Sequence, residues 1–177
     1  MTRLSAQPPS QPVMRLRAIE PEDLDLLYRI ENDQDLWGVG YTNVPYSRYA
    51  LHDYVAHASA DIYVDRQVRL MIDVQGVGVV GIADMMEFDP RNNRAEVGIV
   101  IQKPFRHRGY AHQALALLLD YARKVLHLHQ VYAIIASENE DSLNLFRHLR
   151  FHHKATLSDW LYDGKRYHDA DLMQFFI

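Results

Sequence analysis

The stretch Arg106-His-Arg-Gly-Tyr-Ala111 lies between a predicted strand that ends at Ile101 and a helical pattern that runs to about Leu126. The first turn of a helix has N–H groups without intrahelical partners and carries the positive end of the helix dipole, so a basic glycine-bearing loop there is typical of an anion site. Gly109 would let the backbone approach a pyrophosphate, and the small Ala111 would keep bulk away. The stretch predicts a phosphate-binding loop, with a basic loop that only caps a helix as the alternative.

The residues on both sides of this loop predict the rest of the fold. Alternating apolar residues bounded by turn residues predict strands at residues 14–19, 67–74, 79–88, 95–101, 131–136, 151–161 and 167–176. Helical spacing and capping residues predict helices at 20–31, 47–59, from the loop to about 126, and 139–149. In the third helix the predicted apolar face is Ala114, Leu115, Leu118, Tyr121, Ala122 and Val125. We therefore expect an α/β (α+β) fold, with a central mixed, mostly antiparallel sheet of about seven strands and helices on both faces.

Composition limits the classes of protein that need to be considered. The 177 residues fit one domain at residues 14–177, preceded by a polar, Pro-rich tail at 1–13 that we expect to be disordered. A net charge of −4 argues against nucleic acid as the main partner. The chain has no cysteine, which excludes disulfides, thiolate metal sites and cysteine nucleophiles. No apolar run is long enough to span a bilayer and the start lacks a signal peptide, so we expect no membrane partner and a cytoplasmic location.

Histidine and tryptophan residues away from the loop are interpreted as structural. The pairs His127/His129 and His152/His153 have no carboxylate at helical ligand spacing, so they are predicted to be surface histidines and no metal is expected. Trp160 falls within a predicted strand and is expected to be structural.

Four segments of the chain resemble the GNAT superfamily of N-acetyltransferases. Residues 106–111 match its Gln/Arg-x-x-Gly-x-Gly/Ala loop, which follows the fourth strand in that family and in this prediction. Asn139 and Ser142 fit the family's segment after the fifth strand. The stretches 93–98 and 163–169 are similar to the branch that contains spermidine and ribosomal-protein N-acetyltransferases. The resemblance covers roughly residues 14–177 and implies a GNAT-like sheet with acetyl-CoA as co-substrate.

The resemblance also implies how acetyl-CoA would be held. Backbone N–H groups of residues 106–111 would bind the pyrophosphate, the edge of residues 97–101 would pair with the pantetheine arm as an added strand, and Asn139 would hydrogen-bond that arm. The amine would enter from the other side, against the first two helices. The implied cofactor contacts are Ile99, Ile101, Arg106, His107, Arg108, Gly109, Tyr110, Ala111, Asn139, Ser142 and Phe146.

The sequence departs from the family pattern at two functional positions. Many members have a tyrosine that protonates the leaving thiolate, and the matching residue here is Phe146, which has no proton to give. Ser142, one helical turn earlier on the same face, is a candidate acid. Spermidine acetyltransferases carry two acids before a Pro-Tyr pair, whereas this chain has Asn43 and Val44 before Pro45. These departures leave the general acid and the polyamine acceptor open.

Acidic and aromatic residues supply candidates for the acceptor side. An alkylammonium with a pKa of about 10 must lose a proton before it attacks a thioester, and Glu96, on the strand that would hold the acetyl group, is the candidate base. An exposed strand residue or a partner for Arg94 is the alternative interpretation of Glu96. Glu31, Asp84 and Glu87 could line a cationic pocket, and the alternative for each of them is a solvated surface acid. Trp37 could instead pack in the core. The predicted substrate-binding residues are Glu31, Trp37, Tyr41 and Glu87.

Three hypotheses of function follow. The first is an enzyme that transfers the acetyl group of acetyl-CoA to a primary amine, either a di- or polyamine, another small amine or a peptide N-terminus. The second is a CoA-binding sensor without turnover, suggested by Phe146. The third is a nucleotide-phosphate binder, although the loop lacks the Gly-Lys-Ser/Thr of a P-loop. An exposed sheet edge would also favour a homodimer.

Overall fold

The computed structural model describes residues 12–33, 44–58 and 61–177. Residues 1–11 of the predicted disordered tail lie outside the described residues. Just before the first strand, the Val13 carbonyl accepts a hydrogen bond from the Gln75 N–H at 2.9 Å.

The described residues form one seven-stranded sheet, which confirms the predicted fold class. Its strands are β1 (Met14–Arg17), β2 (Val68–Val74), β3 (Gly78–Asp89), β4 (Arg94–Ile101), β5 (Gln130–Ala136), β6 (His152–Tyr162) and β7 (Tyr167–Phe176). They lie in the order β1-β2-β3-β4-β5-β7-β6. Only the β4–β5 pair is parallel within this sheet, because α4 (Tyr110–Lys124) returns the chain between those two strands.

The other helices are α1 (Leu24–Glu31), α2 (Arg48–His57), α3 (Ile62–Asp65) and α5 (Glu140–His148). The predicted cap of α2 is confirmed, since the Ser47 hydroxyl accepts a hydrogen bond from the Ala50 N–H at 3.0 Å. The single-turn helix α3 was not predicted, because four residues are too few to show a helical period. Asp61 caps it by accepting a hydrogen bond from the Tyr63 N–H at 2.8 Å.

Helices cover both faces of the sheet, as predicted. The side that we call the α4 face carries Ala95, Val97, Val131 and Ala133, packed with Leu115, Leu118, Leu143 and Phe146 of α4 and α5. On the opposite side, the α1 face, Ile30 of α1 packs against Met71 and Ile82. Successive strand residues alternate between the two faces, which decides which side chains can meet at the active site.

Three residues differ from the predicted packing. Leu119 is buried although it was left out of the apolar face of α4. Val125 is 58% exposed, because α4 ends at Lys124 and Val125 lies beyond its last turn. Trp160 is 54% exposed, since β6 is an edge strand whose side chains mostly face solvent. A strand assignment alone therefore did not show whether a residue is buried.

Gly81 marks the closest approach of β3 to β4. A Cβ atom at this position would lie 2.0 Å from the Val100 carbonyl oxygen, and backbone cannot move aside as a side chain can. We expect Gly81→Ala to lower the free energy of unfolding by about 3 kcal/mol, the cost of forcing extra volume into a packed site. For a chain of this length the melting temperature should fall by roughly 6–12 °C, measured by thermal denaturation.

Gly98→Ala is the matched control for that substitution. Its Cβ would meet the end of the flexible Met86 side chain at 3.3 Å, on the neighbouring strand of the same pair, and the Asp84 Cβ at an ordinary contact distance of 3.9 Å. The control should cost much less than Gly81→Ala. Equal melting temperatures for Gly81→Ala and the unchanged chain would contradict the close approach of these strands.

Candidate active site and cofactor cleft

The strands β4 and β5 separate after three residues of parallel pairing. The pairs are Arg94 with Gln130, Ala95 with Val131, and Glu96 with Tyr132. Beyond the last pair, β4 continues to Ile101 and β5 to Ala136 without pairing to each other in the described sheet. Residues 97–101 of β4 and 133–136 of β5 therefore border a gap inside the sheet, and we call its closed end, at Glu96 and Tyr132, the apex.

A cleft with a volume of about 350 Å³ opens beside this gap. It contains most of the predicted cofactor contacts. It also contains five residues that match no family motif, namely Val100, Phe105, His112, Asp141 and Leu145. Arg108 and Phe146 are not part of its wall. The predicted residues that line it are Ile99, Ile101, Arg106, His107, Gly109, Tyr110, Ala111, Asn139 and Ser142.

The predicted phosphate loop forms one end of the cleft. Gly109 is the N-terminal cap of α4 and has a φ of +82°, which glycine adopts without strain. The first backbone hydrogen bond into α4 runs from the Gln113 N–H to the Gly109 carbonyl at 3.2 Å, so the preceding N–H groups belong to the open first turn. A Cβ at Gly109 would meet no atom within 4 Å. The loop thus presents helix N–H groups to open space, as an anion site requires.

The two arginines of the loop have different surroundings. Arg106 donates its Nε–H to the Ile101 carbonyl at 3.0 Å, which ties the loop to the end of β4. The Arg108 guanidinium lies 5.9 Å from the centre of the Phe105 ring, and Arg108 is not part of the cleft wall. Arg106 was predicted mainly as a source of charge, and in the structure it also braces the backbone of the loop.

Asn139 and Ser142 meet at the other wall, where α5 begins. The Asn139 side-chain oxygen accepts a hydrogen bond from the Ser142 N–H at 3.1 Å and so caps α5. With its oxygen used in the cap, the amide group of Asn139 has N–H donors to offer to a ligand. This chemistry suits a carbonyl of the pantetheine arm, which carries two amide groups.

Phe146 lies in the core beneath the cleft. It is 4% exposed, and its ring meets Phe151 edge to face with 4.8 Å between ring centres. The predicted cofactor contact of Phe146 is therefore not part of the described cleft. Ser142, which shares a helix face with it, does reach the cleft wall.

A charged cluster links the loop before Asn139 to the β6–β7 hairpin. His168 bonds to Glu138 through Nδ1 at 2.9 Å and to Asp163 through Nε2 at 2.8 Å, and the Ser137 N–H donates to the Asp169 carbonyl at 3.0 Å. Asp163 and then Glu138 raise the pKa of His168 above its ordinary value, against a lowering effect of burial and of Arg166. The imidazolium form thus stabilises this end of the cleft.

This raised pKa gives a pH-dependent prediction. Because the folded-state pKa exceeds the unfolded value of about 6.5, the stabilisation is complete below that pH and is lost as pH rises through the folded pKa. We expect His168→Gln to lower the melting temperature more at about pH 5.5 than at about pH 8.5. The exposed His52 on α2 is the control, and its replacement by Gln should change neither value. A loss for His168→Gln that is independent of pH would contradict the role of the charge.

Glu96 lies at the apex, on the α1 face. It is only 4% exposed, so the alternative interpretation as an exposed strand residue is wrong. Its cross-strand neighbours are Met86 on β3 and Tyr132 on β5. Burial raises the pKa of Tyr132, and the carboxylates of Glu96 and Glu87 act in the same direction. A buried carboxylate beside a protonated phenol can accept and return protons.

The predicted cationic pocket is partly filled by an arginine. Arg69 donates to both oxygens of Asp84, at 2.7 and 2.9 Å, and also pairs with Glu31. Burial lowers the pKa of the Arg69 guanidinium, but Asp84 and Glu31 more than offset it, so Arg69 stays charged. Asp84 is buried, so the interpretation as a solvated surface acid is wrong. Only the structure shows that Glu31 and Asp84 share one arginine.

The remaining acceptor-side predictions have different outcomes. Glu87 is exposed, with a φ of +49°, at an irregularity in the β3–β4 pairing between Met86 and Asp89. Trp37 and Tyr41 lie outside the described residues.

Within residues 12–33, 44–58 and 61–177, no group of three or more potential ligands could hold a metal ion. None of the helices described is long and apolar enough to cross a membrane.

Comparison with known proteins identifies the family. A family model described as an acetyltransferase (GNAT) domain matches residues 14–152. A spermidine N(1)-acetyltransferase of Escherichia coli (strain K12) is 28% identical over 170 residues, covering 95% of this chain and 88% of that protein. A putative ribosomal N-acetyltransferase of Bacillus subtilis (strain 168) is 27% identical over 170 residues, covering 87% and 86%.

A solved structure shows the same fold. The crystal structure of spermidine N-acetyltransferase from Vibrio cholerae in complex with CoA and spermine has a TM-score of 0.84 to this chain, at 23% identity, covering 92% of this chain and 95% of that one. The resemblance to the branch of spermidine and ribosomal-protein acetyltransferases is confirmed. Family membership supports the first hypothesis, an enzyme that uses acetyl-CoA as co-substrate. The chain belongs to the GNAT acetyltransferase family.

Proposed function

We propose that this N-acetyltransferase acetylates a primary amine of a polyamine such as spermidine. The observation that carries the proposal is the gap between β4 and β5, which has a helix N-terminus at one end and the buried Glu96 at the other. The spermidine acetyltransferase of Escherichia coli, which matches this chain over nearly its whole length, supports the acceptor class.

In this proposal each wall of the cleft has one task. The first turn of α4 from Gly109 binds the pyrophosphate through backbone N–H groups, and the free edge of residues 97–101 pairs with the pantetheine arm. Asn139 donates to that arm. Glu96 takes the proton from the ammonium group, directly or through a water molecule. The amine nitrogen then attacks the thioester directly, with no acyl-enzyme.

The pairing of Arg69 favours a second class of acceptor. One guanidinium already pairs with both Glu31 and Asp84 and offsets one of their two negative charges, and Asn43 and Val44 replace the acids of spermidine acetyltransferases. An acceptor with a single positive charge, such as a peptide N-terminus, needs fewer carboxylates than a polyamine does. For a polyamine acceptor, by contrast, Glu87, which is exposed at the irregular part of β3, is the proposed contact for a second positive charge.

One turnover assay distinguishes the two acceptors. Release of the CoA thiol is measured with acetyl-CoA and a panel that contains spermidine, spermine, a simple alkyl monoamine and short peptides with free N-termini. We expect kcat/KM to be highest for the polyamines and to fall in Glu87→Gln for them but not for the monoamine. Peptides that are better substrates than spermidine, with no effect of Glu87→Gln, would favour the second class.

Two further parts of the proposal concern assembly and location. The strand β6 is an open edge of the sheet and exposes Trp160 and Tyr162, which supports a homodimer formed along this edge. Light scattering during size-exclusion chromatography would measure the assembly, and Trp160→Asp should shift it to the monomer.

The cytoplasm is the proposed location, because the co-substrate acetyl-CoA is present there.

A further inference from the structure

The thiolate of CoA needs a proton when it leaves, and the family position for the donor holds Phe146. The Phe146 ring is buried on the α4 face against Phe151. Ser142 and Tyr110 carry hydroxyl groups in the cleft wall, but Tyr110 belongs to the first turn of α4, at the phosphate end. The candidate donors at the reacting end of the cleft are therefore Ser142 and hydroxyl groups on other elements.

The apex places a phenol beside the candidate base. Paired residues on neighbouring strands direct their side chains to the same face, and Ala95, Val97, Val131 and Ala133 are all buried on the α4 face. The side chains of Glu96 and Tyr132 therefore both lie on the α1 face, where the amine is proposed to enter. Glu96 is buried and Tyr132 is half-buried.

The free edge of β4 is long enough to place the thioester at the apex, beside Glu96 and Tyr132. The phosphate loop follows the end of β4, so an arm that pairs with β4 runs back from Ile101 toward Val97. These four steps measure about 13 Å at the rise of a β-strand. An arm that fills the gap lies in the plane of the sheet, so its sulfur can be reached from either face. Phe146 lies on one side of this plane and Tyr132 on the other.

We propose that Tyr132 is the general acid of this acetyltransferase. Glu96 first removes one proton from the ammonium group, and the amine nitrogen forms a C–N bond to the thioester carbon. The C–S bond then breaks with its electron pair on sulfur, and the Tyr132 hydroxyl gives its proton to that sulfur. The second proton lost by the nitrogen returns to the Tyr132 phenolate, while Glu96 releases its proton to solvent. The products are the N-acetylated amine and the free thiol.

The surroundings of Tyr132 keep the donor in its protonated form. Burial raises the pKa of its hydroxyl, and the nearby carboxylates of Glu96 and Glu87 oppose formation of a phenolate, against a weaker opposite effect of Arg94. Tyr132 thus enters each turnover with its proton in place. The proposal rests on amine acetylation, but it does not depend on which amine is the natural acceptor.

The test is the Tyr132→Phe variant, which removes one oxygen and preserves the ring. We expect kcat to fall by about 100-fold or more, as for the loss of a general acid, while KM for acetyl-CoA and the melting temperature stay unchanged. Tyr121→Phe is the matched control, because Tyr121 is a half-buried phenol of α4 whose pKa is also raised by burial. Ser142→Ala tests the competing hydroxyl. Tyr121→Phe should lower kcat by no more than about threefold, and the loss of kcat in Ser142→Ala should be smaller than that in Tyr132→Phe.

The outcomes separate this proposal from the proposed acceptor. Each variant is assayed on the amine that the unchanged chain acetylates fastest, so a poor rate with spermidine overturns the polyamine acceptor and still tests Tyr132. The inference is overturned if Tyr132→Phe keeps kcat within about threefold, if Ser142→Ala carries the loss, or if the unchanged chain acetylates no amine. Should Tyr132→Phe not fold, Tyr132→His, which restores a proton donor, is measured instead. A folded but inactive Tyr132→His overturns the inference, and an active one supports it.

Discussion

We expect Gly109→Asp to abolish binding of CoA while the chain stays folded. The new Cβ enters open space, so the fold loses only about 1–2 kcal/mol from the left-handed backbone conformation. The added carboxylate, however, lies among the N–H groups that the pyrophosphate needs and repels it. In the unchanged chain, CoA at one hundred times its Kd adds about 2.7 kcal/mol of stability. The resulting increase in melting temperature of roughly 5–10 °C should vanish in the variant.

Gly76→Asp is the control for backbone strain and added charge. Gly76 lies in the β2–β3 turn with a φ of +77°, close to that of Gly109, and a Cβ there would also meet no atom within 4 Å. This variant should lose the same small amount of stability and keep the full response to CoA. If Gly109→Asp responded to CoA as Gly76→Asp does, the phosphate site would lie elsewhere in the molecule.

The second large effect is expected for Glu96→Gln. The substitution keeps the shape of a buried side chain but removes the base, so kcat should fall by about 10²–10⁴-fold with little change in KM for acetyl-CoA. Without an internal base, the reaction depends on amine that is already neutral in solution. The rate of the variant should therefore increase about tenfold per pH unit until the pKa of the amine is reached, near 10. Steady-state rates between about pH 6.5 and pH 10 would show this slope.

Glu87→Gln provides the comparison for Glu96. Glu87 lies on the neighbouring strand β3, is exposed, and carries the same negative charge as Glu96. The loss of this charge in Glu87→Gln should raise KM for a polyamine and leave kcat nearly unchanged. A Glu96→Gln variant that keeps kcat within about threefold would contradict the assignment of the base. Equal effects of both variants on KM alone would indicate that Glu96 only attracts the acceptor.

Local patterns predicted the strands, the loop and the cap of α2. Ser47 caps α2 as predicted, because a cap depends on a few neighbouring residues, which a sequence displays directly. The fold class could be predicted for the same reason, since alternation and turn residues are local. The family loop also indicated which strand precedes it and which helix follows it. The pattern of a single strand does not carry this information.

The errors concern contacts between residues far apart in the chain. Arg69 joins Glu31 and Asp84 across 38 and 15 residues, and no spacing rule indicates that two predicted substrate acids share one cation. The burial of Glu96 depends on three neighbouring strands. Phe146 was predicted as a cofactor contact from a family motif, and a motif does not show how the residue packs. Tyr132 was not predicted as a site residue, because its proposed role depends on Glu96, the residue opposite it on β4.

The gap between β4 and β5 also has a consequence for cooperativity. The sheet consists of a four-stranded and a three-stranded part, and in the described structure their strands are joined by the three residue pairs from Arg94 to Glu96 and their partners. A cofactor arm that occupies the gap would supply backbone-like bonds on both sides, so the metabolite would act as an eighth strand. Those amide hydrogens of residues 97–101 that face the gap should exchange with solvent through local opening in the free protein and only through global unfolding in the complex. Acetyl-CoA would thereby extend the junction between the two parts of the sheet beyond these three pairs.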